Sequence, residues 1–153
     1  MRPIIPYAVD TGKKLLPVKM YLLDTNACIR ILRGSSATLV ERVSQHAPQE
    51  ICLCSIVKAE LVYGAYRSAR PAENMRLLTR FFEPYESLPF DDPCIDAYGR
   101  ILSDLERARL VIGPNDLIIA ATAVANKVTL VSANTREFVR VTGLAFENWE
   151  LAL

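Results

Sequence analysis

The sequence predicts an α/β fold built on a central, mainly parallel sheet of about five strands. Three observations carry that expectation. Short strand-like runs, Met20–Leu23, Glu50–Cys54, Tyr85–Pro89, Val128–Ser132 and Ala145–Trp149, recur along the chain. Segments with apolar residues at helical spacing separate them. The first run is apolar throughout, as a strand covered on both faces is, and it ends on Asp24 with a helix start directly behind it. At 153 residues the chain has the length of one domain.

Residues 1–19 hold three prolines, a Thr-Gly pair and a Lys-Lys pair, and lack the continuous apolar region and cleavage site of a signal peptide. They read as a flexible extension outside the fold, with Met20 the natural start and 20–153 the folded domain. After the first strand, Thr25 is placed to cap a helix through Ile29, Ile31 and Leu32 to Gly34. A second helix spans Ser36 to Gln45. Beyond strand Glu50–Cys54, Ser55 is placed to cap a helix carrying Glu60 and Tyr63 that closes at or near Gly64. A basic helical stretch with Met75, Leu77, Leu78, Phe81 and Phe82 ends at Pro84. Strand Tyr85–Pro89 leads to a long helix that begins at Asp91 or Asp92 and runs through Leu105, with Pro93 tolerated in its first turn. Gly113-Pro114-Asn115-Asp116 is a turn that launches an unusually apolar helix, Leu117 to Ala125. Val128–Ser132 is the next strand, Thr135 starts a short helix, and Ala145–Trp149 is the final edge strand.

The composition narrows the functions open to the chain. Formal charge is +1, so no global field draws it to nucleic acid or membrane, and no run approaches the roughly 20 apolar residues of a bilayer span. The four cysteines, Cys28, Cys52, Cys54 and Cys94, form no C-x-x-C pair, and His46 is the one histidine. A soft-metal site is therefore not indicated, and the thiols read as reduced, buried groups of a cytoplasmic protein.

The acids are more informative. Asp24 follows a strand and precedes a helix; Asp116 and Glu137 lie in first helical turns; Glu60 sits one turn further along its helix among apolar neighbours. Each alone is also a good helix-start residue, stabilised by the macrodipole by about 0.3–1 kcal/mol. Together they matter because helix N-termini that follow parallel strands open onto one edge of the sheet, where ligands of such folds gather. Converging carboxylates repel, and a hard divalent cation relieves that repulsion. Such a cation polarises a phosphoryl oxygen and lowers the pKa of water, which points to phosphodiester hydrolysis.

These residues carry a resemblance. Leu23-Asp24-Thr25-Asn26, Ala59-Glu60-Leu61 with Gly64, Gly113-Pro114-Asn115-Asp116 with Ile119-Ala120-Ala121, and Asn134-Thr135-Arg136-Glu137-Phe138, in that order, resemble PIN-domain ribonucleases. More narrowly they resemble the VapC toxins of bacterial type II toxin–antitoxin modules, and Gly143-Leu144 with Glu147-Asn148-Trp149 matches that group's ending. The likeness covers Met20 to Trp149. It implies a three-layer α/β/α fold and a Mg²⁺- or Mn²⁺-dependent endoribonuclease acting on a structured RNA such as a tRNA. Carried over by position, Asp24, Glu60, Asp116 and Glu137 are the catalytic acids, with Asp24 and Asp116 as metal ligands. Asn26, Asn115 and Thr135 are the groups that orient them. The resemblance further implies a homodimer and a cognate VapB-type antitoxin whose C-terminal segment enters grooves of the early helices.

Arg30, Arg33 and Arg67 are the basic residues assigned to RNA phosphates, with Arg70, Arg76 and Arg80 as further members of the rim. Tyr63, Tyr66, Met75, Phe81 and Phe82 read as core or interface. Two other classes compete. A catalytically degenerate domain would bind RNA or protein without cutting, although it has little reason to keep four costly acids. Aspartyl-nucleophile phosphohydrolases need an acid two residues after the first, where Asn26 stands, and receiver-type domains need a lysine after a late strand, whereas Lys127 precedes one.

Overall fold

The computed structural model describes residues 18–152. In chain order it contains β1 (Tyr21–Leu23), α1 (Thr25–Arg33), α2 (Ala37–Ser44), β2 (Ile51–Cys54), α3 (Ser55–Arg67), α4 (Pro71–Phe82), β3 (Glu86–Leu88), α5 (Asp92–Ala108), α6 (Pro114–Asn126), β4 (Thr129–Val131), α7 (Thr135–Phe138) and β5 (Phe146–Glu147). The five strands form one sheet in the order β3-β2-β1-β4-β5, and every pairing is parallel. Leu22 lies opposite Cys52 on one side and Leu130 on the other. The sheet grows from β1 toward β3, then returns across β1 to β4 and β5. Right-handed crossovers put the helices of the outward and return journeys on opposite faces, giving three layers.

The central strands are buried on both faces, which explains their unbroken apolar character. Leu22, Leu23, Cys52, Leu53 and Leu130 are wholly inaccessible, and Trp149 and Phe138 are the largest fully buried side chains. All four cysteines are buried and unpaired. Burial pushes the Cys52 thiol up to about 12, so it is an inert core group. Trp149 fastens the end of the chain to the sheet: it stacks on His46 at 5.0 Å and meets the Tyr21 ring at 4.8 Å. Its indole N–H donates to Glu147 Oε2 at 2.8 Å.

Several expectations shift at element ends. Asp24, not Thr25, caps α1, its carboxylate accepting from the Ala27 N–H at 2.7 Å. Cys54 rather than Ser55 precedes α3, and the Ser55 hydroxyl donates instead to the Leu88 carbonyl. Asn134 rather than Thr135 precedes α7. Helix α3 does not stop at Gly64 but runs on to Arg67, because the helical glycine is open to solvent and no steric demand ends the helix there. Glu50 closes a short 3-10 turn before β2, and β3 and β5 are shorter than the runs that announce them. Of the five residues expected in the core or an interface, Met75, Phe81 and Phe82 pack against the core, and Tyr63 and Tyr66 lie outside it on the surface of the chain. Of the N-terminal extension, residues 1–17 lie outside the described residues. Lys19 pairs with Glu147 at 2.6 Å.

Candidate active site

The return of the chain across β1 creates a switch point between β1 and β4, whose carboxyl ends lie side by side. In open α/β sheets a crevice forms at such a point. The Asp24 N–H donates to the Val131 carbonyl at 3.1 Å, so the residue leaving β1 is tied to the end of β4. Four helix starts, those of α1, α3, α6 and α7, bring their first turns toward this edge.

Asp24 is only 5% exposed. Burial pushes its carboxyl up, as do the charges of Glu150 and Glu60, while hydrogen bonds from Ser132 and from the Ala27 N–H act the other way. Glu60 receives two donors: the Thr25 hydroxyl, beside Asp24, and Asn115 Nδ2 at 2.6 Å, beside Asp116. Asp116 and Glu137 face each other. Burial first, then the charge and hydrogen bond of Glu137 and the charge of Asp24, push the Asp116 carboxyl up to about 6. Asn134 Nδ2 donates to Asp116 Oδ2 at 3.1 Å and so partly offsets that rise. The Gly113 N–H donates to Glu137 Oε2 at 3.2 Å. A Cβ at Gly113 would stand 3.9 Å from both Asp116 Oδ2 and Glu137 Oε2, which shows how closely this turn approaches the pair.

The four acids named from sequence therefore form a connected set, with Asp116 and Glu137 in contact and Asp24 and Glu60 linked to them through donors and charge. Among the described residues no three His, Cys, Asp or Glu side chains are already grouped as a metal-holding cluster. Each carboxylate is instead turned toward its hydrogen-bond donor.

Of the three orienting groups expected, Asn115 holds Glu60. Asn26 is exposed and borders a narrow cleft with Arg30, Ser132 and Glu150. Thr135 is the first residue of α7, and the neighbouring Asn134 donates to Asp116. Sequence reasoning also passed over Thr25, Ser132 and Glu150. Ser132 and Asn134 follow β4 as Asp24 follows β1, and that parallel is the signal that points to them. The assigned cations divide. Arg30 is bound to Glu150 at 2.8 Å, Arg33 lines a groove between α1, α3 and α4, and Arg67 donates to the Tyr63 hydroxyl at 3.1 Å.

The PIN domain family model matches residues 21–144. Ribonuclease VapC2 of Rickettsia felis is 36% identical over 132 residues, covering 86% of this chain and 98% of its own length. The tRNA(fMet)-specific endonuclease VapC of Shigella flexneri is 34% identical over 129 residues, 84% of this chain and 97% of its own. Among solved structures, VapBC2 from Rickettsia felis bound to a promoter DNA fragment superposes with a TM-score of 0.80 at 36% identity, covering 85% of this chain and 98% of that one. DNA-bound VapBC from Salmonella typhimurium gives 0.81 at 32% identity, over 86% and 98%.

Proposed function

The chain belongs to the PIN-domain family, and from that premise we propose that it is the toxin of a type II toxin–antitoxin pair, an endoribonuclease that hydrolyses RNA phosphodiester bonds. The observation that carries this reading is the contact between Asp116 and Glu137 next to buried Asp24, at the edge where the sheet reverses. Holding two carboxylates against each other beside the charge of a third, buried one is costly, and structural helix caps have no need of it.

The donor set fits a hard divalent cation, Mg²⁺ or Mn²⁺. It is all carboxylate oxygen, and burial first, then the charges of Glu137 and Asp24, disfavour an ionised Asp116 in a way that such a cation offsets. Asp24 and Asp116 would hold it, and Glu60 and Glu137 would complete the catalytic acids. When bound, the ion polarises a phosphoryl oxygen and acidifies water. The chain's own groups do the rest. Thr25 and Asn115 fix Glu60, Ser132 and the Ala27 N–H fix Asp24, and Asn134 and Gly113 fix the Asp116–Glu137 pair. Glu137, beside Asp116, would accept the proton lost by the attacking water, and the departing oxygen would take its proton from solvent.

The substrate is a structured RNA, and the Shigella relative's specificity favours a tRNA. Arg30, Arg33 and Arg67 supply charge for its phosphates. The groove between α1, α3 and α4, about 350 Å³ and lined by Ile29, Leu32, Leu61 and Leu77, takes the C-terminal segment of a VapB-type antitoxin. The toxin works as a homodimer in the cytoplasm. No helix among the described residues is long and apolar enough to cross a membrane. Purified protein with Mg²⁺ or Mn²⁺ is expected to cleave RNA, chelation to stop it, and Asp116→Asn to lower the rate by about a hundredfold or more. Cleavage that persists with both Asp24 and Asp116 neutralised overturns this site.

A further inference from the structure

Helix α3, which supplies Glu60, carries a second feature that the acidic crevice leaves unused. Residues 60, 63 and 67 recur at i, i+3 and i+7, so Glu60, Tyr63 and Arg67 share one face of the helix. Tyr63 is 61% exposed. The Arg67 guanidinium stands 5.6 Å from the Tyr63 ring centroid, and its Nη1 donates to the Tyr63 hydroxyl at 3.1 Å. Among the described residues no carboxylate pairs with Arg67. An aromatic ring in water, steadied by a cation whose charge is not compensated, has little structural purpose of its own.

We propose that Tyr63 and Arg67 form a stacking platform for an unpaired base of the RNA, next along the strand from the phosphodiester cut at the acidic crevice. The inference rests on the nuclease reading above. Glu60 to Tyr63 is about 4.5 Å of helix rise, so a base seated on the ring keeps its backbone beside the carboxylates. Stacking suits any base, because each has a π-face, and the cation strengthens it. The remaining guanidinium donors face the negative backbone. Bases inside a duplex have both faces occupied, so the platform selects loops and single-stranded segments.

Tyr66 supplies an internal control. It is 66% exposed, yet at 100° per residue it points about 120° away from Glu60. The test uses a short single-stranded oligoribonucleotide carrying 2-aminopurine, whose fluorescence falls when the base stacks. Binding is read in EDTA, where nothing is cut, and cleavage kinetics are read with Mg²⁺ or Mn²⁺. Tyr63→Ala is expected to abolish the quenching and to raise Kd and KM roughly tenfold to a hundredfold, with kcat at saturation unchanged. Tyr63→Phe, which keeps the ring, is expected to stay near wild type in both readouts, and Tyr66→Ala to change neither. Quenching and KM unaltered in Tyr63→Ala overturn the platform, and so does an equal loss in Tyr66→Ala. A mass in solution that drops for Tyr63→Ala also overturns it, because the face then belongs to a second copy of the chain. If the wild type neither binds nor cuts RNA, the nuclease reading falls and the platform with it. If it cuts while Tyr63→Ala is silent, the platform alone falls.

Discussion

Asp116 and Glu137 set two carboxyl groups against each other, and the consequence for pH follows from the sign of the shift. An acid whose folded value lies above its unfolded 3.8 binds its proton more tightly when folded. Its stabilising contribution is present in full below the unfolded value and is lost as pH rises through about 6. After allowance for solvent screening at a half-buried group, the effect is about 1 kcal/mol, or ~3 °C in melting temperature. The metal-free protein is therefore expected to melt lower at pH 7.5 than at pH 5, and Asp116→Asn to lose that part of the slope. Added Mg²⁺ should raise the melting temperature more at pH 7.5, where Asp116 is ionised. Calorimetric scans of both proteins at both values check this, and an unchanged slope in Asp116→Asn refutes it.

At the scale of the element, α3 shows how a helix reaches beyond its sequence punctuation. Gly64 is a natural stopping point by propensity, yet the helix continues for three more residues and carries Arg67 with it. Packing of Val57, Leu61 and Ala65 into the core holds this turn, and tertiary burial outweighs the cost of glycine. A methyl group at Gly64 meets nothing within 4 Å. Gly64→Ala is accordingly expected to stabilise the protein by about 0.5–1 kcal/mol, measured by urea unfolding, with RNA cleavage unchanged. Lower stability in that variant contradicts a continuous α3. Boundary shifts at α1 and α7 share one form: the residue before each Thr takes the cap position, Asp24 and Asn134, so each helix starts at its Thr, one residue earlier than a Thr cap implies.

For the whole molecule, closure of the fold depends on its last residues. Trp149 is 2% exposed and lies against Tyr21 of β1 and His46 beyond α2, so the chain end is a core element rather than a tail. Trp149→Ala is expected to cost about 3–5 kcal/mol, and a urea midpoint close to wild type disproves the packing role. The parallel α/β class and the order of elements were legible in the sequence, and so were the four acids as candidates that the fold brings to one edge. Strand burial, helical period and first-turn acids are local signals, and they survive without knowledge of distant contacts. Tertiary structure alone decided the rest. Only strand order puts the ends of β1 and β4 side by side, where Ser132 and Asn134 meet Asp24 and Asp116 across more than a hundred and about twenty positions of chain. Only packing shows that Tyr63 faces water while Phe81 and Phe82 do not, because identical helical spacing serves a core stripe and an exposed platform alike.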